Sequence, residues 1–169
     1  MSNTIMSRLS KKAEAEVPAA TPTEILLKLL ATEYQAITMY NSAYYWVRGK
    51  DRSDLIPEYE EHKKDESEHA EILEELLLEL GGDTFKNADE WRLVSPTEVP
   101  TIGTHEAAAI NQVIEKSEVE AVELYTAAVQ YFHSIEDEAT AHKLVEILKD
   151  EREHLKEVRL EFQGKTSAV

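Results

Sequence analysis

Two stretches of this chain carry the same metal-ligating pattern. Lys64-Asp65-Glu66-Ser67-Glu68-His69 returns as Lys149-Asp150-Glu151-Arg152-Glu153-His154, and upstream of each lies Glu-x-x-Ala-x-x-x-Tyr: Glu33, Ala36, Tyr40 and Glu118, Ala121, Tyr125. Matched residues, from Glu33 with Glu118 to His69 with His154, stand 85 positions apart, and in each half the upstream Glu precedes the Glu-x-x-His glutamate by 33. Carboxylate oxygen and neutral imidazole nitrogen are donors that ferrous iron and manganese accept. Glu-x-x-His places both on one helical face, one turn apart. Glu33, Glu66, His69, Glu118, Glu151 and His154 are therefore candidate ligands for a pair of divalent ions.

A single Glu-x-x-His in an acidic helix often marks only a solvated face, and Glu60, Glu61, Glu68 and Glu153 are read that way. The register of the apolar residues separates the two cases. Leu55, Tyr59, His62, Glu66, His69, Leu73, Leu76 and Leu80 follow spacings of three and four, the pattern of a packed seam. The same register runs through Leu144, Ile147, Glu151, His154, Val158 and Phe162, through Leu26, Leu30, Glu33, Ile37, Tyr40, Tyr44 and Val47, and through Ile114, Glu118, Val122, Tyr125, Val129 and Phe132. Each of four segments thus carries a carboxylate into its apolar stripe. Four buried glutamates without compensation would cost several kcal/mol each, and two divalent ions would cancel their charge.

The elements that must hold these residues are helices. Thr21-Pro22-Thr23-Glu24 is a capping box with Pro at the first helical position, which predicts a first helix over about 22–48 with Gly49 as its stop. A second begins around Ser53 to Pro57 and ends at Gly81-Gly82. Residues 83–104 contain Pro96, Pro100 and Gly103 and predict a long crossover, with a short helix over Asn87 to Arg92. A third long helix spans about 105–133, and a fourth follows a turn at Ser134 to Asp137, reaching Phe162 and closing at Gly164. The expected fold is all-α, a four-helix bundle over residues 21–164. Residues 1–20 are expected to form a mobile N-terminal arm, and residues 165–169 a C-terminal tail.

Composition narrows the function classes. The 169 residues suit one domain with a proper core, and Lys plus Arg (18) against Asp plus Glu (34) gives a net charge of −16. That charge attracts cations and disfavours a phosphate backbone, so nucleic acid is not an expected partner. Arg8, Lys11 and Lys12 in the N-terminal arm would suit a DNA-tethering tail, but Glu14 and Glu16 nearly cancel them. There is no cysteine, which excludes disulfides, a zinc ribbon, a rubredoxin-type iron centre and thiol chemistry. No apolar run reaches the roughly 20 residues of a membrane span, and no secretory leader is evident, so a cytoplasmic location is expected.

Over residues 22–162 the pattern resembles the ferritin-like superfamily, and most closely bacterioferritin: the segment from Leu30 to Tyr40 looks like its first-helix signature, and both 33-residue spacings match. The resemblance implies Glu33 and Glu118 as terminal ligands, Glu66 and Glu151 as bridging ligands, and His69 and His154 as one nitrogen ligand to each of two iron ions per subunit. It implies a ferroxidase that oxidises ferrous iron with dioxygen or hydrogen peroxide and passes ferric iron to a mineral store. Tyr40 and Tyr125 would hydrogen-bond the bridging carboxylates, donate an electron, or simply pack in the core. Asp65 and Asp150 would each orient the histidine of the other half, or lie exposed. His62, one turn before Glu66, has Ile147 as its counterpart and reads as a satisfied core histidine rather than a further ligand.

The chain also departs from bacterioferritin. Ser67 stands where that family carries the methionine that ligates haem, so haem at the usual position is unsupported; Met39, off the seam and expected to face a partner subunit, is the remaining candidate, with interface packing as the alternative. Few residues follow His154, too few for the fifth helix of a 24-subunit shell, and the crossover has room for the short helix of twelve-subunit mini-ferritins. A homo-oligomeric cage of 12 subunits is therefore expected. The intrasubunit ligand set is unlike the intersubunit site of Dps proteins. Alternative activities are a di-iron peroxidase of the rubrerythrin or erythrin type, which needs a carboxylate where Ala121 stands, and a manganese catalase with similar ligands.

Overall fold

The computed structural model describes residues 20–166, with side chains through Leu160. The N-terminal arm and the end of the C-terminal tail lie outside the described residues. Among the described residues five helices follow one another: α1 (Pro22–Trp46), α2 (Arg52–Glu79), α3 (Ala88–Val94), α4 (Ala107–Ser134) and α5 (Glu138–Thr166). At ~1.5 Å per residue the four long ones are about 40 Å each.

Helix boundaries follow local chemistry. The Glu24 amide donates to Thr21 Oγ1 (3.3 Å) and the Thr21 amide to Glu24 Oε2 (2.7 Å), which completes the capping box at α1. At its other end Arg52 Nη1 donates to the carbonyls of Tyr44 (2.8 Å) and Val47 (3.0 Å), satisfying acceptors that the last turn leaves open. Helix α2 starts at Arg52, one residue before the expected range of Ser53 to Pro57. Pro57 lies inside it, where the ring removes only one backbone donor. Its C-terminus closes through Gly81 (φ +73°), with the Gly82 amide donating back to the Leu77 carbonyl at 2.8 Å. The turn from α4 to α5 makes the same closure with Glu136 at φ +63°, and the Asp137 carboxylate then caps α5 by accepting from the Thr140 amide at 3.1 Å. Helix α5 runs through Gly164 to Thr166, so this glycine is not the stop.

Helices α1 and α2 form one pair and α4 and α5 the other; the pairs meet through α1 with α4 and α2 with α5. The crossover between them is fastened along α1. Trp91 of α3 is buried beside Tyr34, and buried Gln35 donates to Ser95 Oγ (2.6 Å) while accepting from Thr97 Oγ1 (3.0 Å). The core has two apolar parts. One gathers Leu26, Leu30, Leu73, Leu76, Phe132, Leu144 and neighbours; the other gathers Met39, Val47, Leu55, Tyr59, Ile110, Ile114 and Val158. The charged band of the two motifs lies between them.

Five of the expected seam residues are not buried, and Ile37 and Tyr44 of α1 are only half-buried. Leu80 is 39% exposed, and Leu77 occupies the core instead because the helix ends there. Val122 and Val129 are only half-buried, while Ala121 and Ala128 face inward at the close approach of the helices.

Candidate metal centre

The duplicated motifs converge at mid-bundle. Glu33, Glu66, Glu118 and Glu151 are each 1% exposed, and His69 and His154 are 3% exposed. α1 supplies Glu33, α2 Glu66 and His69, α4 Glu118, and α5 Glu151 and His154. They form two groups, Glu33, Glu66, His69 and Glu151, and Glu66, Glu118, Glu151 and His154; within each group one donor atom per residue lies within 4.8 Å of the others. Glu66 and Glu151 belong to both groups. Glu33 and Glu118 belong to one each.

The donors point at one another rather than at hydrogen-bonding partners. Among the described residues, the buried side-chain polar atoms without a hydrogen bond are Glu33 Oε2, Glu66 Oε1, Glu118 Oε2, Glu151 Oε1 and His154 Nδ1. Buried polar atoms are normally satisfied, so five orphans on these residues mark a place for something positive. His69 Nδ1 lies 3.1 Å from Glu151 Oε1, 3.2 Å from Glu66 Oε2 and 3.6 Å from Glu33 Oε2. Two divalent ions fit this donor set in charge, number and type.

Protonation tells the same story. Burial, then the carboxylate of Glu33, raises Glu66 well above its ordinary value. Glu118 and Glu151 are pushed up to about 8, by burial first and then by neighbouring carboxylates. Burial alone would lower His69, but the facing carboxylates of Glu151, Glu33 and Glu66 outweigh it and raise its pKa. Without metal, protons hold the place of the missing positive charge.

The surrounding residues are arranged crosswise between the halves. Tyr40 Oη donates to Glu118 Oε1 at 2.6 Å and Tyr125 Oη to Glu33 Oε1 at 2.5 Å. The tyrosines thus hold the unshared glutamates, not the shared Glu66 and Glu151, because seven residues carry each phenol past its own carboxylate to the opposite helix. Burial, then Glu118 for Tyr40 and Glu33 for Tyr125, keeps both phenols protonated as donors. His69 Nε2 lies 3.4 Å from Asp150 Oδ2, and His154 Nε2 lies 3.4 Å from Asp65 Oδ2. A carboxylate at Nε2 favours the proton there and leaves the Nδ1 lone pair aimed inward, the tautomer a metal requires.

Other sequence expectations fall as follows. His62 is buried with partners at both nitrogens, Tyr40 Oη at 2.9 Å and Glu157 Oε2 at 2.8 Å. Met39 does not face outward: it is 1% exposed within the apolar core, so a haem between subunits would not reach its sulfur. Glu68 and Glu153 are solvent-facing. Glu157 had no sequence signal, since it lies off the seam of α5 and meets His62 only because the two helices pack together.

Comparison with known proteins identifies the fold. Residues 23–164 match the model of the ferritin-like domain. Among solved structures, the dodecameric thioferritin of Bacteroides fragilis, a bacterioferritin-related protein, superposes with a TM-score of 0.83 at 21% identity, covering 86% of each chain. A ferritin-like, diiron-carboxylate protein from Bacillus anthracis gives 0.71 at 28% identity over 82% of this chain and 92% of its own. Dps from Listeria monocytogenes gives 0.81 at 15% identity over 88% and 96%. Comparison with curated protein sequences gives no match. With the domain model covering most of its length and the same fold in these neighbours, the chain belongs to the ferritin-like family.

Proposed function

We propose that this protein is a ferroxidase that oxidises ferrous iron at the paired site and stores the ferric product within a cage of identical subunits. The observation that carries the reading is the set of five buried donor atoms without a hydrogen bond, on five of the six duplicated residues. Ferrous iron is the substrate. Glu33 and His69 would hold one ion, Glu118 and His154 the other, and Glu66 and Glu151 would span both. Two ferrous ions so held supply the two electrons that reduce dioxygen to hydrogen peroxide, or hydrogen peroxide to water. The protein's share is to bind the ions as neighbours, direct the proton of each histidine to Nε2 through Asp65 and Asp150 so that Nδ1 faces the metal, and let the spanning carboxylates follow the change in charge.

A cage reading has two supports. The thioferritin neighbour is a dodecamer, and the subunit surface carries exposed Tyr45, Trp46, Leu78, Leu93 and Leu160, apolar area suited to association. Among the described residues no helix is long and apolar enough to cross a membrane. Ala121, where a peroxidase of the rubrerythrin type carries a further carboxylate, is buried and apolar and supplies no seventh ligand.

Aerobic addition of ferrous iron, followed by ultraviolet absorbance and light scattering, tests both parts. The expected result is fast oxidation of many more than two irons per chain by a particle about twelve times the 19.2 kDa subunit mass. Oxidation that stops at two irons per chain, or a particle no larger than a dimer, refutes storage.

A further inference from the structure

The 85-residue duplication makes each half a control for the other, and one difference beside the centre stands out. His62 corresponds to Ile147, and Glu157, its partner, corresponds to Ile72. On one side of the pseudo-twofold axis a buried imidazole is tied to a carboxylate on the neighbouring helix. On the other side, Ile147 lies in the apolar core and Ile72 packs against it. Tyr59 and Asn111, hydrogen-bonded at 2.6 Å on the His62 side, likewise correspond to Leu144 and Leu26 in the apolar cluster.

His62 reaches two candidate ligands of one metal position, His154 by direct ring contact and Glu118 through Tyr40. Its Nδ1 is 2.9 Å from the Tyr40 hydroxyl, which donates to Glu118 at 2.6 Å. Its ring stacks on His154 with centroids 4.2 Å apart and planes 25° from parallel. Glu157, 2.8 Å from Nε2, anchors the ring from α5. Glu118 and His154 are thereby braced from behind. Glu33 and His69 have Tyr125 and Asp150 but only Ile147 in the place of the imidazole.

We infer that His62, anchored by Glu157, is a positioning residue for the Glu118–His154 metal position, so that two positions with identical ligand types bind metal with unequal affinity. The inference rests on the two-metal reading of the site. Groups behind metal ligands typically change affinity by about 10- to 100-fold when lost, and a brace present on one side only produces a difference of that order between positions.

The test titrates the intact assembly with Co²⁺ alone, read by calorimetry and by visible absorbance, which reports ligand geometry. The wild type should bind two ions per chain in two steps separated by about tenfold or more. Glu118→Gln should remove the tighter step and Glu33→Gln the weaker. His62→Ile, which copies position 147, should weaken the tighter step until the two merge. His62→Asn, whose amide sits where Nδ1 does, should recover part of the separation. Glu157→Ile, at an exposed position, is a second route should His62→Ile fail to assemble, and it should narrow the separation too. A single step of two equivalent ions in the wild type, or a separation unchanged in assembled His62→Ile or in Glu157→Ile, overturns the inference. Absence of any Co²⁺ binding that Glu66→Ala abolishes would instead overturn the two-metal reading.

Discussion

Loading the centre should expel protons in a number that falls with pH. Glu66 is raised well above the carboxylate range and His69 is also raised, so each keeps a proton at pH 7 in the metal-free protein. Glu118 and Glu151, at about 8, are then roughly nine-tenths protonated. All four must give up their protons to bind metal. Two divalent ions bring four positive charges and displace about four protons, leaving the buried charge unchanged, which is what a low-dielectric interior favours. At pH 9 Glu118 and Glu151 have largely ionised, and release should fall to about two. The assay is a pH-stat titration with Zn²⁺, which does not oxidise, at pH 7 and pH 9. Fewer than about one proton per chain at pH 7, or a number independent of pH, refutes the account. The same shifts fix the stability of the metal-free protein. Glu118 and Glu151 titrate near 8 when folded against an ordinary value of 4.5, so between these values the folded chain binds more protons. Their contribution is full below about 4.5 and is lost as pH rises through 8, at up to about 1.4 kcal/mol per pH unit for each. Metal-free protein should therefore melt lower at pH 8 than at pH 5.5, and Zn²⁺ should restore the difference.

Glu66→Ala removes a carboxylate shared by both donor groups; stopped-flow absorbance should show fast ferrous oxidation abolished while the metal-free protein still folds, since burial holds the carboxyl neutral there and its loss changes no buried charge. Tyr125→Phe deletes the donor to Glu33 and should cost about 1–3 kcal/mol in denaturant unfolding. Glu136→Gly relieves a left-handed residue in the α4–α5 turn and should stabilise the fold by about 0.5–1 kcal/mol, read as a higher melting temperature with iron oxidation unchanged.

The sequence by itself determined the helical fold and the membership of the buried donor set, because period and ligand spacing are local properties. A seam register of three and four placed Glu33, Glu66, His69, Glu118, Glu151 and His154 inward, and burial of all six follows from that register. Local signals also placed the capping box at Thr21 and the closure at Gly81. They failed where tertiary packing or turn geometry decides. Gly164 does not end α5, and Met39 is core because the space between α1, α2 and α4 closes over it. Which helix faces which is a property of the bundle, and it alone determined that Tyr40 reaches Glu118 rather than its own half, that Asp65 lies beside His154, and that Glu157 meets His62. The duplicated sequence is symmetric in its ligands. The folded chain is not, because the residues behind those ligands come from helices that the duplication did not keep alike.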